Sequence, residues 1–142
     1  MFSSRDYQST ACTKCTIDHV EARDNLHIHN ATVLKTAVCT RGEIFAENSS
    51  IHCLSGVGNI HLENSRVQAV TLNIKKGQVG KLTLINSVIE KALFIGAEDP
   101  KDSVFVDLTA IQDNNPQRRV LITYRDGSYT VERLDDVHEK AS

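Results

Sequence analysis

The chain has 142 residues, which fits a single domain, and its composition of 40% hydrophobic and 24% charged residues is ordinary for a soluble globular protein. The formal net charge of −2 gives no basic footprint for nucleic acid, and the longest clearly apolar run, Ala92–Ala97, is too short to span a bilayer. The polar residues 1–10 carry no secretory signal, so we expect a soluble cytoplasmic protein, although a leaderless export route would leave no trace in the sequence.

The N-terminal segment, residues 1–9, is predicted to be a polar arm. Directly after it, Cys12 and Cys15 form a CxxC spacing of the kind found in zinc and thiol redox sites. No second pair completes a metal site, since Cys39 and Cys53 are isolated in the sequence. Without a signal peptide, the reduced thiol is the expected state of all four cysteines. The favoured interpretation makes Cys12 a small core residue, and thiol or metal chemistry is the alternative.

The middle of the chain, residues 10–112, repeats one pattern: apolar, any, apolar, any, Asn, small, with a β-branched residue three places after the Asn. The clear copies are anchored at Asn30, Asn48, Asn64 and Asn86. Weaker copies place Lys14 and Leu108 at the anchor, which gives spacings of 16, 18, 16, 22 and 22 residues. Internal periods of this length are typical of stacked repeat architectures.

The pattern predicts an all-β fold. Apolar residues two apart point to one face of a strand, and Asn ends the strand because it tolerates the left-handed conformation. Stacking such units gives a single-stranded parallel β-helix of about six coils of 16 to 22 residues, in which the asparagines form an amide ladder. Variable coil length favours a right-handed winding. An antiparallel sandwich is the weaker alternative, because hairpin turns are lacking in the middle of the chain.

Further inward positions are predicted six and eight places after the anchors, at Val20, Ala22, Val70, Leu72, Ala92 and Phe94. The positions one and three places before an Asn point outward instead, and they carry His27, His29, Glu47, His61 and Glu63. Neighbouring coils rise by about 4.8 Å, so these side chains are expected to form a lattice that suits a divalent metal or acid–base chemistry. The favoured interpretation is a flat solvated face with cross-strand ion pairs.

The C-terminal segment differs from the repeat. Residues 113–134 predict a loop followed by a β-hairpin, whose Asp126-Gly127 pair favours a type I′ turn. The hairpin would cap the last coil or pair with another subunit. The side chains predicted to take part in self-association are Val120, Ile122, Tyr124, Tyr129 and Val131. The polar residues 135–142 are expected to be a flexible tail.

In size, coil length and lack of catalytic motifs, residues 10–112 resemble the bactofilins, bacterial cytoskeletal proteins whose compact β-helix polymerises end to end. The resemblance implies a homo-oligomer or polymer. Bactofilin coils are richer in Gly and lack the Asn-Ser signature, and the hairpin is an addition. A weaker likeness is to the β-helix of tubulin-cofactor-C-type domains, without their arginine motif. No functional residue carries over from either family.

The sequence contains no Gly-rich phosphate loop, GxSxG elbow or HExxH motif. The leading hypothesis is therefore a non-enzymatic structural or assembly module that self-associates, needs no cofactor and presents a repetitive surface to a protein or glycan partner. One alternative is a carbohydrate- or cell-surface-binding module of a bacterial secreted protein. The other is a small metal-dependent enzyme that uses the His/Glu lattice.

Overall fold

The computed structural model describes residues 3–14, 16–111, 119–125 and 127–133 of the chain. These residues form twelve strands and two short 3₁₀ turns, Pro100–Asp102 and Leu108–Ala110, which confirms the all-β prediction. None of the described segments is a helix with the length and apolarity that a membrane crossing requires. The strands are β1 (Ser3–Thr13), β2 (Thr16–His29), β3 (Thr32–Cys39), β4 (Ile44–Glu47), β5 (Ser50–Val57), β6 (Asn59–Glu63), β7 (Arg66–Ile74), β8 (Gly80–Ile85), β9 (Val88–Ala97), β10 (Val104–Val106), β11 (Arg119–Arg125) and β12 (Ser128–Arg133).

All twelve strands belong to one mixed sheet, which contains two rows of parallel strands. The strands β3, β5, β7 and β9 form the first row, and β4, β6 and β8 form the second. The long strand β2 belongs to both rows, because residues 16–22 pair with β3 and residues 26–29 pair with β4. From β2 to β9 the chain therefore alternates between the rows, and each sequence repeat contributes one strand to each of them.

The apolar positions of the repeat build the core. In the second row, the residues four and two places before each Asn stack in two buried columns. The columns are Leu26, Ile44, Ile60 and Leu82, and Ile28, Ala46, Leu62 and Leu84. Burying a Leu or Ile side chain stabilises the fold by about 1.5 to 3 kcal/mol. The stacked columns therefore hold the repeats together, because a single repeat has nothing to cover its own apolar residues.

Parallel pairing ends at β9, which corrects the prediction of a further coil anchored at Leu108. The short strand β10 pairs antiparallel with β9, and Leu108 begins a 3₁₀ turn. The Asp107 carboxylate caps this turn by accepting a hydrogen bond from the Thr109 N–H at 2.9 Å. A side chain that hydrogen-bonds a nearby backbone N–H competes with the hydrogen bonds of a strand. The parallel row therefore ends at this turn.

The C-terminal hairpin closes this end of the core. Strand β11 pairs antiparallel with β8 and with β12. The pair Arg125 and Ser128 is the last before the turn that connects β11 to β12. Val120, Ile122 and Tyr124 are buried, and Tyr129 and Val131 are half-buried against the core. The Tyr124 hydroxyl donates to the Asp102 carbonyl oxygen at 2.8 Å and accepts from the Gly127 N–H at 3.0 Å. The first bond ties the hairpin to the 3₁₀ turn Pro100–Asp102, and the second holds the turn of the hairpin itself.

The N-terminal strand pairs parallel with β2 from Ser3 onward. The segment predicted as a polar arm, residues 1–9, is thus part of the sheet from Ser3 on. The predicted loop at residues 113–117, the predicted tail at 135–142 and Cys15 lie outside the described residues.

Candidate functional site

The four anchor asparagines turn the chain at the corner between the two rows. Asn30, Asn48, Asn64 and Asn86 are exposed and have φ angles of 49°, 51°, 49° and 51°. Left-handed backbone is costly for most side chains and is tolerated best by Gly and Asn. The N–H of Asn48 donates to the Glu63 carbonyl oxygen at 2.9 Å, and Asn64 repeats this bond to Ile85 at 2.9 Å. The turn thus continues the backbone ladder from one repeat to the next.

The side chains at this corner form two columns, of which the inner one is made of serines. In the outer column, the Asn86 amide donates to the Asn64 amide oxygen at 2.8 Å, as an asparagine ladder would. In the inner column, Ser49, Ser65 and Ser87 are buried. The Ser87 hydroxyl accepts from the Ser65 N–H at 3.1 Å, and the Ser65 hydroxyl accepts from the Ser49 N–H at 3.2 Å.

Each serine hydroxyl also donates back to the carbonyl oxygen two residues before it, at 2.9 Å in all three copies. The serine column therefore satisfies buried backbone groups of two successive repeats at once. The sequence pattern recorded only a small residue after each Asn and missed this role. The available signal was the hydroxyl, which recurs at Ser49, Ser65 and Ser87 while Ala31 occupies the first copy.

Replacing Ser65 by alanine is expected to destabilise the chain by about 1 to 3 kcal/mol, because the buried Ser49 N–H loses its acceptor and the Glu63 carbonyl oxygen keeps only the bond from the Asn48 N–H. Urea unfolding followed by circular dichroism measures the loss. The matched control is Ser50→Ala, which removes an exposed hydroxyl from the same corner and is expected to change stability by less than about 0.5 kcal/mol. Equal losses in the two variants would show that the Ser65 hydroxyl is not part of a buried ladder.

The second candidate surface, here called the histidine face, is the outer side of β2, β4 and β6. The strand register brings all five predicted side chains together, with His27 and His61 in one column and His29, Glu47 and Glu63 in the next. His29 Nδ1 lies 2.8 Å from Glu47 Oε1, and His61 Nε2 lies 3.5 Å from Glu63 Oε2. These four side chains are between 29% and 36% exposed, so such pairs contribute at most about 1 kcal/mol each.

Phe45 lies at the centre of the histidine face, and sequence reasoning missed it because the pattern allows any residue there. Its ring lies 4.7 Å from the His61 ring, with an interplanar angle of 5°, and 6.1 Å from the His27 ring, with an angle of 30°. An imidazole from each neighbouring strand thus covers one side of the phenyl ring.

The polar side chains beside this column are bonded to one another. A shallow groove of about 250 Å³ runs along the column. Beside it, the Asn59 amide donates to Glu43 Oε1 at 3.0 Å, and the Glu43 N–H donates to the Asn25 amide oxygen at 3.1 Å. Within the described part of the chain, no group of three or more His, Cys, Asp or Glu side chains is arranged to hold a metal ion. The geometry is that of a polar sheet face with a small groove beside the aromatic column.

The cysteines whose side chains the structure describes are both free thiols. Cys12 lies on β1 opposite Ile28. Cys39 is a buried free thiol whose Sγ donates to the Asp24 carbonyl oxygen at 3.1 Å, and Cys53 is a half-buried free thiol. Burial raises the pKa of the Cys39 thiol. A thiol with a raised pKa is a poor nucleophile at neutral pH, so Cys39 acts as a small core residue.

Three large apolar side chains are exposed among the described residues: Phe105 at 75%, Leu34 at 46% and Val88 at 43%. Phe105 lies on β10, where strand alternation turns Val106 into the core and Phe105 outward. Its ring packs against Phe94 of β9, with ring centroids 4.7 Å apart. Sequence reasoning did not select Phe105, since the pattern allows any residue at its position.

The residues predicted for self-association do not include Phe105 and lie on β11 and β12. Val120, Ile122 and Tyr124 are at most 3% exposed, so their side chains belong to the core of the folded chain and form no contact surface. Tyr129 and Val131 are half-buried on β12, which is the last of the described strands on its side of the sheet. The strand edges at this end are therefore the surfaces at which an assembly contact could form.

Comparison with protein-family models, with curated proteins and with solved structures found no match for this chain.

Proposed function

We propose that this chain is a non-enzymatic, right-handed parallel β-helical module that self-associates at its C-terminal end. The stacking of repeats is supported by the parallel register, in which Leu26 pairs with Ile44, Ile44 with Ile60 and Ile60 with Leu82, and the right-handed winding is proposed from the variable length of the repeats. A chain that alternates between two rows and advances one strand per repeat winds as a solenoid. A crystal structure tests this part, and a left-handed winding would contradict it.

The exposure of Phe105 is the observation that carries the assembly proposal. Single exposed apolar residues are common on protein surfaces and need no explanation by themselves. Phe105, however, is three-quarters exposed at 75% and lies on β10, where the hydrogen-bonded order of strands ends on one side. An unpaired strand edge is a template for pairing with another chain. An aromatic pair, Phe94 with Phe105, beside such an edge supports a contact between chains.

The covered end of the core bears on how the copies meet. The resemblance to bactofilins implies stacking of coil on coil, end to end. Here Val120, Ile122 and Tyr124 fill the C-terminal end of the core, and the hairpin lies over it. A second copy would therefore meet an edge of the sheet rather than an open apolar coil. Contact at an edge related by a two-fold axis produces a closed dimer instead of a filament.

Light scattering over about a hundredfold range of concentration tests this function. We expect the wild-type chain to form a dimer whose mass falls on dilution, and Phe105→Glu to remain a monomer because a charge replaces the apolar contact. The matched control is Leu34→Glu, which places the same charge at an exposed apolar residue of β3 and should leave the mass unchanged.

Circular dichroism of both variants checks that each retains its fold. A wild-type chain that is monomeric at every concentration would contradict the proposed function. Equal loss of mass in Phe105→Glu and Leu34→Glu would contradict the placement of the contact at the C-terminal end.

A further inference from the structure

We infer that the outer edge of β12 is the pairing surface, and that its partner is β12 of a second copy of this chain, aligned antiparallel. The inference rests on the proposed function and specifies its contact. The joined strands would make one continuous sheet from the second rows of both copies.

Strand β12 has the features of an edge that can accept another strand. It is six residues long and pairs through one edge with β11, and no described strand pairs with its other edge. It contains no Pro, and Pro is among the devices that protect natural edges. The competing edge, β10, has only three residues and leads directly into a 3₁₀ turn, so it offers a shorter ladder.

The two faces of β12 limit how a second copy can be placed. Tyr129 and Val131 are half-buried and pack on the core, and Ser128, Thr130 and Glu132 are exposed. A two-fold axis perpendicular to the sheet keeps the core-facing sides of both strands on the same side. Directly opposed residues then point to the same face, so Tyr129 would lie opposite Val131 of the second copy and extend both apolar layers.

Charge favours the antiparallel direction. A parallel, in-register pair would place Glu132 opposite Glu132, and like charges directly opposed destabilise a strand pair. An antiparallel pair centred on Thr130 places Ser128 opposite Glu132 and Thr130 opposite Thr130. Both are favourable polar pairs, since hydroxyl groups bond to carboxylates and to one another across strands.

The position of Tyr129 links this edge to Phe105. The Tyr129 hydroxyl accepts a hydrogen bond from the Asp107 N–H at 3.5 Å, and Asp107 directly follows β10. The two strand edges at this end are therefore held near each other. Pairing through β12 would bring a second copy toward Phe105, so that one contact would involve both features.

Complementary charges at Thr130 provide the test, because this residue would face its own copy across the two-fold axis. We expect Thr130→Lys alone and Thr130→Glu alone to be monomers, since each places two like charges opposite each other. An equimolar mixture of the two variants is expected to recover the dimer mass in light scattering. The matched control is the same pair of charges at the exposed Ser50 of β5, where single variants and mixture should all match the wild type.

Crosslinking provides an independent readout of the register. Directly opposed residues of an antiparallel pair have Cβ atoms about 4.5 to 5.5 Å apart, close to disulfide geometry. We expect Thr130→Cys to form a covalent dimer under mild oxidation, and the wild-type chain, with its own cysteines, to form none.

Two results separate this inference from the proposed function. A wild-type dimer that persists in both Thr130 charge variants, without a Thr130→Cys crosslink, would overturn the pairing of β12 and leave the assembly role standing. A monomeric wild-type chain would overturn both.

Discussion

Replacing Gly42 by alanine is expected to destabilise the chain by about 3 kcal/mol or more, which is at the upper end for a single added methyl group. Gly42 lies in the connection between β3 and β4, and a Cβ atom there would overlap the backbone carbonyl of Asp24 and lie 2.6 Å from the Asn25 amide oxygen. A backbone carbonyl cannot rotate away as a side chain can. The connection must therefore move off β2, and the bond from the Glu43 N–H to Asn25 would be lost with it.

The matched control is Gly77→Ala. Gly77 has a φ of 79° and no atom within 4 Å of an added Cβ, so alanine there is strained by backbone conformation alone. That strain is worth about 1 to 2 kcal/mol. Urea unfolding of the two variants separates a steric overlap from conformational strain. A loss in Gly42→Ala no larger than in Gly77→Ala would show that the backbone does not approach Asp24 so closely.

The alternation between two rows could be predicted from the sequence because one residue type marks each corner. Asn30, Asn48, Asn64 and Asn86 recur at spacings of 18, 16 and 22 residues, and the same offsets separate paired residues such as Leu26 and Ile44 or Ile60 and Leu82. Left-handed backbone selects few side chains, so the corner leaves a clear sequence signal. Strand periodicity then determines which neighbours share a face, which is why the outward side chains of the histidine face could be listed together from the sequence.

The inward positions of the last repeat were predicted wrongly. Ala92 and Phe94 were expected to face the core, but Leu93 and Ile95 are buried and the predicted pair is half-buried. Between Ile89 and Ala92, strand β9 has one residue more than the facing stretch of β7. A one-residue insertion reverses the side-chain alternation that follows it. The local sequence pattern does not indicate the bulge, because Leu, Phe and Ile are compatible with both the core-facing and the outward side of a strand.

The serine column and the Phe45 column were missed for a common reason. Both occupy positions that the repeat constrains weakly, one by size and the other not at all. Their roles depend on which residues lie in the neighbouring repeats: Ser65 matters because the Ser49 N–H points at it, and Phe45 because His27 and His61 lie on either side. Such roles become visible only once the strands are paired.

Replacing Ile122 by aspartate is expected to destabilise the chain by about 4 kcal/mol or more, because an unpaired charge would replace a core side chain that is only 1% exposed. Ile122 lies on β11 between Leu82 of β8 and Val131 of β12, so the hairpin should separate from the end of the stack. The chain has no Trp and three Tyr, of which Tyr124 and Tyr129 are in the hairpin. Tyrosine fluorescence during urea unfolding therefore reports mainly on this segment.

The matched control is Arg125→Asp, which places the same charge at an exposed position of β11 and is expected to change stability by less than about 0.5 kcal/mol. If the two variants unfold at the same urea concentration, the hairpin does not cover the core. The comparison also determines how association data are interpreted. A charge at Val120 or Ile122 removes the strand that holds β12, so loss of dimer mass there reports unfolding of the hairpin. A charge at the exposed Thr130 leaves the core intact, and loss of mass there reports the contact itself.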